Sequence, residues 1–160
     1  MIRIQVQGEP IDLHGEQESL WRGNPRIGAA VTFIGLMRDL NAGEDVQAMT
    51  VEHYPGMTER ALRAIAEEAA RRWDLQGLTI VHRVGLLAPQ DPIVLVGVAS
   101  NHRGEAFQAC EFLVDYLKTR APFWKKERTQ SGERWVEARQ GDREAAVRWS
   151  QGSADSGRSR

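Results

Sequence analysis

Apolar and polar residues alternate from Ile2 to Val6, the period of a strand with one buried face. Gly8 and Pro10 close that run, and a short apolar stretch, Ile11 to Leu13, follows, so the chain is predicted to open with a strand or a hairpin. A helical turn is predicted over 16–22 around Leu20 and Trp21, before Gly23, Asn24 and Pro25 interrupt the pattern. Ala29 to Leu36, rich in Val, Thr, Phe and Ile, reads as a buried strand, Arg38 to Asp45 as a polar loop, and Val46 to Tyr54 as the returning strand. Leu62, Ile65, Ala66, Ala69 and Trp73 recur at helical spacing and predict a helix over Met57 to Trp73. Leu78 to Val84 and Pro92 to Ser100 are apolar strands joined through a turn-rich link at 88–91.

A second helix is predicted from about Gly104 to Thr119, with Phe107, Cys110, Leu113, Val114 and Leu117 on its inner face. Pro122 forbids its continuation and biases Ala121 toward an extended conformation. Phe123 to Arg128, a turn at 129–132 and Arg134 to Ala138 form a hairpin, and Asp142 to Trp149 adds a short helix. Residues 150–160 hold almost nothing apolar and are predicted to be a disordered tail, leaving 1–149 as a single domain. Strands mixed with two main helices indicate α+β or α/β, with the helices covering one side of a sheet.

The 160 residues carry 21 basic and 22 acidic side chains, a formal net charge of -1. Without a basic excess a general nucleic-acid binder is excluded. The longest mainly apolar run, Pro92 to Ser100, falls well short of the ~20 residues of a membrane span. The first ten residues lack the apolar core of a signal peptide, so a soluble, cytoplasmic protein is expected. Cys110 is the one cysteine; it excludes an internal disulfide and any multi-cysteine metal site, and its inward helical position reads as a core thiol.

The basic residues divide unevenly: 18 are Arg, and the three Lys, Lys118, Lys125 and Lys126, fall within one nine-residue window. A chain that otherwise writes Arg for a surface cation has kept there the side chain whose pKa burial and neighbours can lower. Lys118 lies in the last turn of the predicted second helix and Lys125 beyond the Pro122 break, so their amines converge only if the chain folds back at Ala121-Pro122. Phe123 and Trp124 offer apolar walls beside Lys125. Against this stand a solvated cationic face, with Lys118 complementing the helix dipole, and a codon bias toward Arg.

A second candidate is Asn101-His102-Arg103-Gly104, where a strand enters the second helix. Cations at a helix start are unfavourable unless an anion sits nearby, so a phosphate or carboxylate is one resolution; a neutral His102 cap with Arg103 paired to Glu105 or another carboxylate is the other. Arg38, leaving a strand end after Gly35-Leu36-Met37, is a weaker third. His53, in the corner Glu52 to Gly56, has no spaced second ligand and reads as structural; no metal site and no cofactor are expected.

At these same residues the sequence resembles the large, catalytic subunit of molybdopterin synthase, the MoaE family. The matching stretches are VTFIGLMR at 31–38, VEHYPGMTERAL at 51–62, RWDLQGLTIVHRVGLLAPQD at 72–91, VGVASNHRGEAF at 96–107, DYLKTRAPFWKKE at 115–127 and GERWVEAR at 132–139. They run in order over roughly residues 29 to 139, far more than a short motif. The resemblance implies an α/β-hammerhead with an additional small antiparallel sheet, and a homodimer that carries one small ubiquitin-like sulfur-carrier subunit at each end, a heterotetramer. It also implies sulfur transfer from that partner's thiocarboxylated C-terminus to cyclic pyranopterin monophosphate, forming the dithiolene of molybdopterin.

Carried over by position, Lys118 and Lys125 match the family's active-site lysines. Arg38, His102 and Arg103 match its substrate-anion site, with Leu36 and Met37 in the adjoining wall and Lys126 and Glu127 flanking the second lysine. Leu36-Met37 and Gly104-Glu105-Ala106 depart from the family pattern, the latter removing hydroxyls at the helix start. Lys118 is assigned the principal role, holding the anionic tail, protonating a leaving oxygen or stabilising developing charge, with Lys125 in support. The rival reading is a non-catalytic module that docks a ubiquitin-like tail or a phosphorylated metabolite.

Overall fold

The computed structural model describes residues 1–136 and 140–152. The elements are β1 (Ile2–Gln7), α1 (Leu13–Ser19), β2 (Ala29–Leu36), β3 (Leu40–Asn41), β4 (Glu44–His53), α2 (Met57–Arg72), β5 (Leu75–Arg83), β6 (Gly85–Leu87), β7 (Pro92–Ser100), α3 (Arg103–Arg120), β8 (Phe123–Thr129), β9 (Gly132–Val136) and α4 (Gln140–Gly152). Two sheets result: a four-stranded one in the order β1-β5-β7-β2, and a five-stranded antiparallel one in the order β3-β4-β8-β9, with β6 also paired to β4. The α+β class with an added antiparallel sheet is the architecture observed.

The first sheet is buried on both faces, which is why β5 and β7 read as nearly continuous apolar runs. Leu78 and Ile80 of β5, with Val94, Val96 and Val98 of β7, pack under α2 and α3. Val81 and Leu95 point the other way, onto Ile11 and Leu13. On that second face Leu20 lies so close to the sheet that a Cβ at Gly97 would come within 2.4 Å of its Cδ1. Helices α2 and α3 therefore cover one face, as expected, while the α1 segment covers the other.

The opening strand is present, but it is not half of a hairpin: β1 pairs parallel with β5, Ile2 opposite Leu78 through Gln7 opposite Arg83. Asp12 accepts a bond from the Gly15 N–H at 3.1 Å and caps α1, so the 11–13 run enters the second-face core rather than a ladder. The helix itself spans Leu13–Ser19 instead of 16–22.

In α3 the buried face is Ala106, Ala109, Cys110, Phe112, Leu113, Tyr116 and Leu117. Phe107, predicted inward, is 60% exposed. Ala106 holds the inward position one residue earlier, and its small side chain lets the helix sit close on the sheet. Ala121 is extended (φ -80°, ψ 132°), and the chain turns at Pro122 straight into β8. Helix α4 docks on α3 through Trp149, whose ring meets Trp73 and Phe112 edge-on and whose Nε1 donates to Asp115 at 2.7 Å. The helix predicted at 142–149 thus runs from Gln140 to Gly152, and the part of the predicted tail from 153 to 160 lies outside the described residues.

The candidate active site

A cavity of about 890 Å³ opens at the seam between the two sheets and the C-terminal end of α3. The first sheet supplies Phe33, His82, Val94 and Val96, the second Met49, Phe123 and Lys125, and α3 supplies Leu117 and Lys118. The exposed lining residues Leu36 and Arg38 at the end of β2, with Leu40 and Ala42, stand at the solvent side, and buried Met37 and half-buried Asn41 lie between them. An apolar chamber with a few polar groups is the usual make-up of a small-molecule site.

The two lysines do converge. Lys118, exposed in the last turn of α3, and Lys125, partly buried on β8 between Val51 and Val136, both line the cavity. The fold-back that brings them together is the extended Ala121 and the Pro122 break. Burial holds the Lys125 amine below its ordinary value, and the charge of Lys118 pushes it the same way; Asp142 and Glu127 oppose the shift. Arg38 is exposed at the mouth and forms no ion pair among the described residues. Met37 is buried at 4% and fixed by backbone bonds, its N–H to Asp91 O at 3.0 Å and its carbonyl accepting from Gln90 N at 2.9 Å.

Of Lys126, Glu127, His102 and Arg103, only Glu127 lines the cavity. Lys126 occupies the opposite face of β8, its Nζ 4.8 Å from the Trp135 ring centre and 3.7 Å from Glu133. Glu127 does face the cavity, but the residue is buried and its carboxylate accepts from Asn41 Nδ2 at 2.8 Å, with Arg134 Nε at 3.5 Å. His102 and Arg103 are exposed at the start of α3, and fifteen residues of helix at ~1.5 Å each separate Arg103 from Lys118, roughly 22 Å. Glu105 accepts a bond from Ser100 Oγ at 3.3 Å, and His102 makes no side-chain cap bond. Cys110 is a core thiol: burial pushes it up to about 11, and it contacts Val96 O at 3.8 Å.

Three lining residues were not singled out from the sequence. Asp142, in the first turn of α4, brings a carboxylate into the cavity, and Arg134 reaches it from β9. His82 is 1% exposed, stacks on Phe123 at 3.8 Å and 15°, and has Nδ1 2.7 Å from Arg83 O. That carbonyl can only accept, so Nδ1 carries the proton. Burial drives this imidazole down to about 3, with the charges of Lys125, His53 and Lys118 adding to the effect and the Arg83 carbonyl opposing it. Its signal in the sequence was parity: 78, 80 and 82 share one face of β5, and that face is the core.

A mixed α+β protein with a seam cavity carrying two amines and two guanidiniums is the class that fold and site define. Residues 6–120 match the MoaE protein family model, and the chain belongs to that family. It is 56% identical over 149 residues to the molybdopterin synthase catalytic subunit of Ralstonia nicotianae, covering 93% of this chain and 85% of that protein. Among solved structures, the molybdopterin biosynthesis MoaE protein of Burkholderia ambifaria superposes with a TM-score of 0.80 at 54% identity, covering 94% of this chain and 99% of that one. Molybdopterin synthase from Staphylococcus aureus gives 0.78 at 33% identity, with 82% and 95% covered. No described helix is long and apolar enough to cross a membrane.

Proposed function

We propose that this chain is the catalytic subunit of a molybdopterin synthase, a sulfurtransferase that passes sulfur from the thiocarboxylated C-terminus of a small ubiquitin-like partner to cyclic pyranopterin monophosphate. The observation that carries the reading is the convergence of Lys118 and Lys125 in one cavity with Arg38 at its mouth. A relative 56% identical over 93% of the chain is named molybdopterin synthase catalytic subunit.

The chemistry asks little of the protein beyond charge and placement. The thiocarboxylate is already a nucleophile, so its sulfur forms the new C–S bond at a side-chain carbon of the pyranopterin as that carbon's C–O bond breaks and its oxygen departs with a proton; water then cleaves the acyl–sulfur bond, leaving the sulfur on the pterin and a carboxylate on the partner. Two such transfers make the dithiolene, and sulfur changes hands without an oxidant. Lys118, exposed at the cavity edge, is placed to hold the anionic tail and stabilise charge on the departing oxygen. Lys125, whose buried amine holds its proton less tightly than an ordinary lysine, is the amine better suited to giving one up. Arg38 supplies a guanidinium for the phosphate.

His102 and Arg103 cannot join this cavity within one protomer, given the length of α3. A second copy, with its own α3 start set against the mouth, would complete the anion site, which gives the expected homodimer a chemical reason. The test is reconstitution with a thiocarboxylated small subunit and the pyranopterin, with sulfurated products read by mass. Lys118→Ala is expected to lower turnover by about 10²-fold or more while the dimer stays folded; undiminished turnover would sink the assignment.

A further inference from the structure

The cavity wall formed by Leu40, Asn41 and Ala42 belongs to a hairpin, 39–45, closed at its base by Val46 N donating to Asp39 O at 2.7 Å. Its tip turns through Ala42 (φ 52°) and Gly43 (φ 79°). None of residues 38–45 is buried, and Leu40 is 51% exposed, so core packing does not decide where this hairpin sits. A two-residue ladder is marginal by itself in water.

Polar bonds from β9 decide it instead. Arg134 donates through Nη1 to Glu44 Oε2 at 2.8 Å and through Nη2 to Asn41 O at 2.7 Å, and its Nε lies 3.5 Å from Glu127 Oε1. One guanidinium thus touches both strands of the hairpin and the strand that carries Lys125. Asn41 Nδ2 to Glu127 at 2.8 Å and Ser131 Oγ to Glu44 Oε1 at 2.6 Å complete the network.

We propose that Arg134 is a positioning residue for sulfur transfer, a latch whose forked contacts hold hairpin 39–45 as a wall of the cavity and fix the base from which Arg38 reaches the mouth. The proposal rests on the sulfur-transfer reading and assigns Glu127 to the same latch. A planar fork is required, because an ammonium offers no comparable set of directed donors to a carbonyl and two carboxylates at once.

Arg134→Lys keeps the charge and removes the fork. By amide hydrogen exchange, protection over 40–46 is expected to fall by about tenfold or more, while α3, β5 and β7 keep theirs. In the reconstituted assay KM for the pyranopterin is expected to rise about tenfold with kcat held within about twofold. Glu44→Gln should reproduce both effects, and the double variant should be no worse than Arg134→Lys, since the two act through one contact. Unchanged exchange at 40–46, loss of protection throughout the chain, or a fall in kcat at constant KM would each overturn the latch. An inactive wild type would count against the sulfur-transfer reading alone, and the exchange result would still judge the hairpin.

Discussion

His82 makes stability depend on pH in a calculable way. Its folded value is about 3 against an ordinary 6.5, because the charged imidazole would be buried against Phe123 with Lys118 and Lys125 nearby. A base depressed by folding stays unprotonated in the native chain while the unfolded chain takes up a proton, so stability falls as pH drops below 6.5 and levels off near 3. At about 1.4 kcal/mol per unit, a shift of roughly 3.5 units sets a ceiling of about 5 kcal/mol. Between pH 7 and pH 5 the loss from this group is about 2 kcal/mol. His82→Asn isolates it, since the amide can still donate to Arg83 O but does not titrate. Urea unfolding of both proteins at pH 7, 6 and 5, at one protein concentration, gives the difference, and acid effects from other groups cancel. The variant is expected to be less stable at pH 7, from lost ring packing, and to recover about 2 kcal/mol on the wild type by pH 5, about 1 M in urea midpoint. A constant gap between the two proteins across that range would refute the reasoning.

Lys125→Met should raise the urea midpoint at neutral pH while abolishing sulfur transfer. The native state holds a desolvated amine below its ordinary value, so wild type carries a penalty that is fully present below the folded pKa and relieved only as pH rises through it toward 10.5; a less stable variant at pH 7 would contradict the burial assigned to this residue. Gly97→Ala drives a methyl into Leu20 and should cost about 1–3 kcal/mol in urea unfolding, partly restored by Leu20→Ala; a neutral effect would mean the α1 segment is free to shift. If the anion site is shared between protomers, mixing inactive Lys118→Ala with inactive Arg103→Ala chains should restore about a quarter of wild-type activity, because half of random dimers are mixed and each has one intact site. Absence of recovery after verified exchange would place both residues in the same protomer's function.

Much of the fold was legible because the apolar pattern and the breakers agreed. Pro122 ended α3 and Gly23-Asn24-Pro25 kept the first helical segment apart from β2, so the two strands that follow were placed within a residue or two. What the pattern could not supply was partnership. Nothing in IRIQVQ says that β1 runs parallel to a strand some 75 residues later, and the three-residue β6, too short for any period, was missed. Phe107 was misjudged because hydrophobicity alone was counted: α3 buries the smaller Ala106 and Ala109, and close helix–sheet packing favours them over a large ring. In the site, the lysine window was visible as an uneven choice between two cations. Arg134 was not, because it works through backbone and carboxylate partners about 90 positions away that only the hairpin geometry brings within reach.

Why the amines sit at a seam follows from how each is held. Lys118 ends a helix whose buried face is locked to the first sheet, and Lys125 stands in the middle strand of a three-strand segment of the second. Had both been on α3, four residues apart, their spacing would be set by the helical repeat and both would remain in solvent. Placing one on each side of the Pro122 break sets their approach by how the two sheets pack, through the cluster of Met37, Val46, Met49, Val51, Leu87 and Ile93 beneath the second sheet. That arrangement leaves one amine exposed while the other is desolvated, so burial holds the Lys125 amine below its ordinary value in a cavity that both lysines line. On the sulfur-transfer proposal, a chain with lysine at only one of these posts would have the anchor without the proton donor, or the reverse.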